Sequence, residues 1–354
     1  MNITFMIGNG FDIGLGMATS FKQFFPVYCA KSLNKDSSIK QLSEEIFDDE
    51  DAWSYFEKQL GQYAEKFDDK SKGIFFSQLN DFTSEFITYL RGQEGRLSFD
   101  NKQLISKTLV HALTGFYKNG NLHTDSEDCI ETIFRKTAGD AHVYNFISFN
   151  YTNTLQLCLE TLEDGVVNTR KYSNATRIDK IGKVINVHGT KDSFPIMGVN
   201  DVSQIANEQL ATTSSFANRL VKPQINTRLR MNNAGRAIDI LNNSRIICIY
   251  GMSLGETDKD WWDRVVTWLH NDAARQLVIF NYDDKYSTSL PMNWLDKEDE
   301  ILELLTLYNK NKGISVDKLR SRIHIAVHKN IFEMQLTEKS DQIYEEAMKQ
   351  LQMA

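Results

Sequence analysis

Short apolar runs recur along this chain, and most of them stop at a glycine or a polar side chain. We expect these runs to be strands, because uninterrupted apolar residues are typical of strands buried on both faces of a parallel sheet. The predicted strands are Ile3–Ile7, Tyr144–Tyr151, Lys183–Gly189, Pro195–Asn200, Arg245–Ser253, Leu277–Tyr282 and Arg322–His328.

Apolar residues at helical spacing lie between several of these strands. The predicted helices are Ser20–Lys31, Thr154–Leu162, Arg236–Asn242, Asp258–Asn271 and Lys297–Tyr308. Strands that alternate with helices are typical of a doubly wound α/β fold with a mostly parallel sheet. The pattern therefore predicts a Rossmann-like fold.

Residues 32–140 have a different character, because they are polar, helically spaced and poor in strand-like runs. A helix is predicted around Phe75 to Leu90, where aromatic and aliphatic residues share one face, and another over Lys102–Tyr117. Glu57 follows Trp53 by four residues, and we expect its charged side chain to be solvated.

The loops of this segment are predicted at Arg91–Asp100 and Lys118–Asp128. A stretch of such length is not a structureless loop in a compact domain. We therefore expect residues 32–140 to form a helical insertion subdomain after the first strand unit. Residues 1–31 and 141–354 are predicted to form the nucleotide-binding domain.

Composition narrows the classes of partner. The net charge of −7 argues against binding along a nucleic-acid backbone, which needs a basic surface. No apolar run has the length of a membrane helix and no secretory signal is visible, so we expect a cytoplasmic protein without a membrane contact. The four cysteines form no C-x-x-C pair, and no carboxylate cluster has metal spacing, so we expect no bound metal.

The first predicted strand ends in the turn Gly8-Asn9-Gly10, and Asp12 and Gly16 follow. A strand, a glycine-rich turn and a helix are the usual parts of a nucleotide site in α/β folds. The dinucleotide pattern G-x-G-x-x-G needs a third glycine where Ile13 stands, so a tight turn without a ligand is an alternative. Asp12 is expected either to bind a ribose hydroxyl or to cap the turn.

Polar residues follow the other predicted strands as well. They are Asn150-Tyr151-Thr152-Asn153, His188-Gly189, Gly198-Val199-Asn200-Asp201, Gly251-Met252-Ser253 and Asn281. Because the carboxyl ends of parallel strands meet at one edge of a sheet, these side chains are expected to line a ligand pocket.

His188 and Asn150 are the candidate catalytic residues. An imidazole near its unperturbed pKa takes a proton at neutral pH, and the glycine after His188 would leave room for a ligand. Asn150 is suited to orient a water or a ribose hydroxyl. The alternatives are a buried histidine satisfied by backbone and a strand-end turn cap. Ser253 does not fit a nucleophile elbow and is expected to contact phosphate or ribose, whereas Asp258 is expected to cap a helix.

Several motifs together resemble the AbiH family, whose members are linked to abortive infection by bacteriophage. The motifs are GNGFDIGLGMATSF from Gly8, W-x-x-x-E at Trp53 and Glu57, SFNYTNTL at Ser148–Leu155, VHG at Val187–Gly189, MGVND at Met197–Asp201 and IYGMSLGETDKDWW at Ile249–Trp262. This resemblance covers nearly the whole chain and implies a role in phage defence.

The family in turn is similar to sirtuin-like NAD-binding proteins, which implies NAD as substrate or ligand. By this resemblance Asn150 takes the position of the catalytic asparagine and His188 that of the base. The implied NAD contacts are Gly8, Asn9, Gly10, Asp12, Gly16, Thr152, Gly251, Ser253 and Asn281. Ser253 and Asn281 would contact the phosphates and the adenosine side.

Three departures from the sirtuin pattern narrow the implied reaction. Phe21 stands where an arginine is usual, Thr152 stands where an aspartate is common, and the zinc-ribbon cysteines are absent. The resemblance therefore implies NAD glycohydrolysis rather than deacylation, with Asn150 positioning water and His188 contacting the ribose hydroxyls. No metal is implied.

Two alternatives stay open. One is a nucleotide-binding sensor or regulator of phage defence without turnover. The other is a toxin directed at nucleic acid, which the acidic charge balance disfavours. A phage-derived trigger or an activating partner protein is also implied, and the sequence is compatible with an oligomer.

Overall fold

Seven strands form one sheet at the centre of the protein. The computed structural model describes residues 1–32, 35–45, 56–282, 290–334 and 336–338, so Trp53 and the acidic run at 48–51 lie outside the described residues. The strands of this sheet are β1 (Asn2–Ile7), β3 (Val143–Ser148), β4 (Val166–Tyr172), β5 (Ala175–Asn186), β6 (Ile246–Tyr250), β7 (Gln276–Asn281) and β8 (Ile323–Val327).

The strand order is β4-β5-β3-β1-β6-β7-β8, and every neighbouring pair is parallel except β4 with β5. The prediction of an α/β fold with a mostly parallel sheet is therefore confirmed. A second, two-stranded antiparallel sheet joins β2 (Leu97–Ser98) to β9 (Thr337–Glu338).

The described residues also contain fourteen α-helices. They are α1 (Gly10–Gly14), α2 (Phe21–Ser32), α3 (Ser37–Glu45), α4 (Phe56–Tyr63), α5 (Lys72–Gly95), α6 (Lys102–Gly115), α7 (Thr124–Lys136), α8 (Thr154–Leu159), α9 (Glu208–Thr212), α10 (Ser214–Leu220), α11 (Lys222–Arg228), α12 (Asn233–Asn242), α13 (Lys259–Asn271) and α14 (Pro291–Tyr308). None of the helices in the described ranges is both long enough and apolar enough to span a bilayer.

The sheet is covered on both faces, which explains why its strands are apolar throughout. Phe5 of β1 packs in a core with α6, α7 and α8, whereas the next residue, Met6, packs in a core with α12, α13 and α14. Successive side chains of a strand point to opposite faces, so each face of β1 is buried by a different helical layer.

A third core lies beside the sheet and is rich in aromatic side chains. It joins α2, α4 and α5 to α9 and α10, and the rings of Phe56 and Phe82 stack at 4.1 Å between centroids. The helices of residues 32–140 thus divide between two cores, since α6 and α7 pack on the sheet.

The predicted strand at Pro195–Asn200 is wrong, because this segment is a loop that pairs with the connection between α10 and α11. Val199 forms an isolated bridge with Val221, and a side chain on Gly198 would meet the Leu220 carbonyl oxygen at 2.0 Å. The loop therefore fixes the start of α11, where Lys222 donates its backbone N–H to the Val199 carbonyl at 2.8 Å.

Two further differences concern polar segments. Strand β4 was not predicted, because it is an edge strand whose side chains are half exposed and it lacks an apolar run. The predicted loops Arg91–Asp100 and Lys118–Asp128 are wrong in part, since α5 extends to Gly95 and α7 begins at Thr124. In α5 the residues of this last turn face inward, and Glu94 is 9% exposed.

Candidate functional site

A cavity of about 310 Å³ lies at the carboxyl ends of β1, β3, β5 and β6. Eight of the predicted site residues line it: Gly8, Asn9, Asp12, Asn150, Thr152, His188, Gly251 and Ser253. The opposite wall comes from α2, α4 and α5 and includes Phe21, Phe56 and Phe86. The topology of the sheet thus brings together residues that are dispersed along the chain.

The remaining predicted contacts lie elsewhere. Gly10 and Asn281 line a neighbouring cavity of about 890 Å³, which shares Asn9, Gly251 and Ser253 with the first. The Asn281 Oδ1 atom is buried and has no hydrogen-bond partner in the described structure. Gly16 lines neither cavity, and its φ of +87° explains the glycine by backbone conformation alone.

The glycines of the first turn are explained by contact with the turn after β6. A Cβ on Gly8 would lie 2.6 Å from the Gly251 carbonyl oxygen, and a Cβ on Gly10 would lie 2.5 Å from the Gly251 Cα. Gly10 also donates its N–H to the Gly251 carbonyl at 2.8 Å. These glycines are required for two backbones to touch, so they do not by themselves require a ligand.

Gly189 likewise has a structural cause. Its φ is +72°, and a Cβ there would lie 2.3 Å from the Phe194 carbonyl oxygen and 2.5 Å from that of Ser193. The expectation that this glycine leaves room for a ligand beside His188 is therefore wrong. It closes a tight turn instead.

Asp12 is buried at the base of the cavity. Its Oδ2 accepts a hydrogen bond of 2.6 Å from Thr152 Oγ1, and its Oδ1 has no hydrogen-bond partner among the described residues. The pKa of Asp12 is raised to about 7, mainly by burial and in part by the nearby Glu94 carboxylate, whereas the hydrogen bond from Thr152 and the nearby Asn150 oppose the rise. A carboxyl group with this pKa exchanges its proton near neutral pH.

Asn150 presents an unsatisfied amide to the cavity. The residue is 5% exposed, and neither Oδ1 nor Nδ2 makes a hydrogen bond of proper geometry to the described part of the protein. The amide is still near enough to Asp12 to lower the pKa of that carboxyl. Since buried polar groups are nearly always paired in folded proteins, both atoms are available to a ligand or a water.

His188 is held between aromatic rings. Its ring centroid lies 5.7 Å from that of Phe149 and 6.3 Å from that of Tyr151, and its Nδ1 is buried without a partner in the residues described. Burial and the positive charge of Lys222 hold the pKa of His188 well below 6.5. The expected unperturbed pKa is therefore wrong, and the imidazole is neutral at physiological pH.

A second cluster of polar side chains faces the same cavity. Lys222 donates a hydrogen bond of 2.5 Å to the Glu57 carboxylate, and these side chains are only 4% and 12% exposed. Tyr151 donates from its hydroxyl to the Ile196 carbonyl at 2.9 Å and to Glu57 Oε1 at 3.4 Å. The expectation that Glu57 is solvated is therefore wrong.

Asp258 completes this group. It precedes α13, but its side chain makes no capping hydrogen bond, so the expected role as a helix cap is wrong. Burial raises the pKa of Asp258 to about 6, Lys222 lowers it, and Glu57 raises it. All three side chains line the same cavity, and the charges of Lys222 and Glu57 act on Asp258 there.

Little in the sequence indicated that Glu57, Lys222 and Asp258 lie together. Glu57 and Asp258 belong to quoted motifs, but Lys222 lies in no motif and is 165 residues from its partner. In the described ranges, no group of three or more His, Cys, Asp or Glu side chains has the geometry to hold a metal ion.

The cavity therefore combines a carboxyl group that titrates near neutrality, an unpaired amide and a neutral imidazole with a buried ion pair. Its polar side chains carry more carboxylates than ammonium groups. Such a site can accept hydrogen bonds, hold a water and stabilise a positive charge that develops on a ligand.

A known protein family matches most of the chain. Residues 4–282 match the family described as bacteriophage abortive infection AbiH, and this range contains every residue that lines the first cavity. A comparison with the curated proteins found no match. Because the match extends over well more than half of its length, the chain belongs to the AbiH family of bacteriophage abortive infection proteins.

Proposed function

We propose that this protein acts in abortive infection by hydrolysing NAD to nicotinamide and ADP-ribose in the cavity at the strand ends. The observation that carries this proposal is the convergence on one cavity of three buried polar groups that lack a partner among the described residues: Asp12 Oδ1, the Asn150 amide and His188 Nδ1. A purely structural sheet edge has no need of such groups, since leaving each one unpaired costs about 1–3 kcal/mol.

In the proposed reaction the bond between C1′ of the ribose and the nicotinamide nitrogen breaks. The bonding electrons stay with the nicotinamide ring, which loses its positive charge and leaves as a neutral molecule. A water oxygen bonds to C1′, and the proton of that water passes to the Asp12 carboxylate and then to solvent. The products are nicotinamide, ADP-ribose and one proton.

Asp12 suits the role of general base better than His188. A base works best when its pKa lies near the operating pH, and the pKa of Asp12 is raised to about 7. The pKa of His188 is held well below 6.5, so its neutral ring is suited to accept a hydrogen bond from a ribose hydroxyl. Asn150 would hold the attacking water through its unpaired amide.

The charge of the cavity also supports this substrate. The nicotinamide ring of NAD is cationic, and the transition state of its hydrolysis carries positive charge on the ribose. Three carboxyl groups line the cavity, those of Asp12, Glu57 and Asp258, and two ammonium groups do, those of the buried Lys222 and the exposed Lys22. Carboxylates in a site shielded from water stabilise such a charge more than they would in water.

The adjoining cavity accounts for the other half of a dinucleotide. A space of about 310 Å³ suits one nucleoside-sized portion, and the neighbouring space of about 890 Å³ meets it at Asn9, Gly251 and Ser253. The diphosphate would cross at these turns, and Asn281 would meet the adenosine side through its unpaired oxygen.

The test is to incubate the purified full-length protein with NAD and measure the nicotinamide released. Asp12→Asn, Asn150→Ala and His188→Ala are compared with wild type, and Asn174→Ala in the exposed turn between β4 and β5 is the matched control. We expect release by wild type and control, with loss in the three variants. Equal rates in all five proteins would disprove the assignment.

A second candidate function is a nucleotide sensor without turnover, and the buried polar atoms that lack a partner among the described residues support it equally, since they can bind a ligand without reacting with it. Both functions predict that the protein binds NAD, but only hydrolysis predicts that nicotinamide is released. The same assay is therefore repeated with extract from phage-infected cells, and phage plaques are counted on cells expressing each variant. Binding of NAD with no release, and protection that survives in Asp12→Asn, would establish the sensor.

A further inference from the structure

In the proposed hydrolysis the cluster formed by Glu57, Lys222 and Asp258 contributes only the charge of its carboxylates, and its hydrogen-bonding groups have no role there. Its members come from α4, from the first residue of α11 and from the residue before α13. Such distant segments converge on one point of the cavity, and the two charges of the Glu57–Lys222 pair are almost completely removed from water. Burying an ion pair usually costs more than the pairing returns, so stability alone is a weak reason for it.

The three side chains of the cluster differ in whether they donate or accept hydrogen bonds. The Lys222 ammonium has three N–H donors, and Glu57 is its hydrogen-bond partner among the described residues. The Asp258 carboxylate has no side-chain cap and only accepts hydrogen bonds when ionised. The cluster therefore offers a cavity ligand the N–H donors of Lys222 that Glu57 does not take and the acceptor oxygens of Glu57 and Asp258.

A primary carboxamide is the complement of this arrangement. Its carbonyl oxygen accepts one hydrogen bond, and its NH₂ group donates two. A carboxylate in the same place would find one donor but would face the negative charges of Glu57 and Asp258. Like charges brought together at a buried ion pair repel each other, so the cluster would reject an acid while it accepts the amide.

The cluster lies close to Asn150, where the reacting end of the ligand is proposed to bind. Tyr151 directly follows Asn150, and its hydroxyl reaches Glu57 Oε1 at 3.4 Å. The cluster thus lies about one tyrosine ring away from the chain at Asn150. The rings of Phe149 and Tyr151 also line this cavity and provide apolar surface for a flat heteroaromatic group.

We propose that Glu57, Lys222 and Asp258 recognise the carboxamide of the leaving nicotinamide and exclude the corresponding acid. The inference rests on the proposed NAD site and names the part of the ligand that determines specificity. Glu57 and Asp258 accept from the NH₂ group, and Lys222 donates to the carbonyl oxygen.

The test compares NAD with nicotinic acid adenine dinucleotide, which differs only in carrying a carboxylate in place of the carboxamide. Binding is measured by calorimetry on full-length Asp12→Asn protein, so that turnover does not interfere. We expect the Kd of the acid to be at least about 100-fold higher than that of NAD, from like-charge repulsion. In Asp258→Asn added to that background, the ratio should fall by about tenfold.

The control is Asp260→Asn in the same background, because Asp260 lies two residues further along and forms an exposed ion pair with Lys310. It should leave the ratio unchanged. Glu57→Gln gives a second variant at the cluster, and circular dichroism confirms that each protein is folded.

The outcomes separate the two proposals. Equal Kd values for the two dinucleotides overturn the carboxamide assignment, whether or not wild type releases nicotinamide. A strong preference for NAD without release by wild type supports the assignment and refutes hydrolysis. If neither dinucleotide binds to Asp12→Asn or to wild type, both proposals are refuted. If the preference for NAD over the acid is unchanged in both Asp258→Asn and Glu57→Gln, other residues recognise the carboxamide, and the proposed role of the cluster is overturned.

Discussion

Thr152 donates a hydrogen bond of 2.6 Å to Asp12 across the ends of β1 and β3, and the second oxygen of that carboxylate remains unpartnered in the described structure. The two residues are 140 positions apart. They meet because β1 and β3 are paired in parallel, with Ile7 beside Ser148 at the end of the ladder. The bond holds one carboxylate oxygen and leaves the other available.

The first prediction concerns the pH dependence of nicotinamide release. If ionised Asp12 is the base, kcat/KM should rise with pH around 7, because the pKa of Asp12 is raised to about 7 by burial. Asp12→Asn should lower kcat about 10²–10⁴-fold, the usual contribution of a general base. Steady-state rates between pH 5 and 9 measure both effects.

Thr152 provides the control for this assignment. Its hydrogen bond lowers the pKa of Asp12, so Thr152→Val should move the midpoint of the pH profile upward, and Thr152→Ser should restore it. A midpoint that is the same in all three proteins would show that the titrating group is not Asp12.

The second prediction concerns stability. The pKa of Asp12 is about 7 in the folded chain, above the value near 3.9 of an unfolded aspartate, so the folded state holds this proton more tightly. The contribution of Asp12 is most favourable below pH 4 and is lost as the pH rises to 7, by on the order of 4 kcal/mol in total. Asp12→Asn should therefore be more stable than wild type at pH 8.5 and should lose that advantage at acidic pH.

Urea unfolding at pH 5 and pH 8.5 measures this difference. The exposed Asp125→Asn serves as the control, and its stability relative to wild type should not change between the two pH values by more than a few tenths of a kcal/mol. An Asp12→Asn difference that is independent of pH would refute a raised pKa.

The third prediction ranks the loss of stability on replacing each of three glycines by alanine, according to the surroundings of each glycine. Gly10→Ala would place a Cβ 2.5 Å from the Gly251 Cα, and we expect a loss of about 3 kcal/mol or more because the clash is with backbone, so the two turns would have to move apart. Gly16→Ala has open space but a φ of +87°, which costs about 1–2 kcal/mol. Gly14→Ala meets only ordinary contacts, the nearest at 3.8 Å, and should be close to neutral.

Urea denaturation midpoints give this ranking directly. The order Gly10, Gly16, Gly14 follows from geometry, and a Gly10→Ala protein as stable as Gly14→Ala would contradict the close approach of the two turns.

The fourth prediction concerns the buried ion pair. Lys222→Met leaves the Glu57 carboxylate buried without its partner and should cost about 3–5 kcal/mol of unfolding free energy. Adding Glu57→Gln removes the stranded charge and should recover most of that loss. Thermal and urea unfolding of the single and double variants measure the coupling.

The neighbouring pair Lys58–Glu256 is the matched control, since its 2.8 Å contact is about 40% exposed on each side, at 42% and 41%. Lys58→Met should change stability by no more than about 1 kcal/mol. Equal losses in Lys58→Met and Lys222→Met would mean that burial does not set the strength of the pair.

The sequence was sufficient to locate most strands of the sheet and much of the cavity. Apolar runs such as Ile246–Tyr250 identify strands because a strand covered on both faces has no position for a polar side chain. Parallel pairing then requires that residues after these strands, such as Asn150 and His188, lie at one edge. The AbiH motifs identified the family for the same chain.

Local patterns failed where burial was decided by distant segments. The helical spacing around Glu57 is compatible with an exposed face, and only the packing of α4 against the loop at Val199 brings Lys222 to it. The strand predicted at Pro195–Asn200 became a loop because its backbone pairs with Val221 instead of the sheet.

By itself, then, the sequence determined the fold class, the family and which residues follow most of the strands, since these depend on local periodicity and motif order. Only the tertiary structure decided the order of the strands, the contacts that require glycine at Gly8 and Gly10, and the charge states of Asp12 and His188. The physical reason is that a pKa and a close approach depend on desolvation and on neighbours remote in the chain, and neither quantity is contained in local spacing.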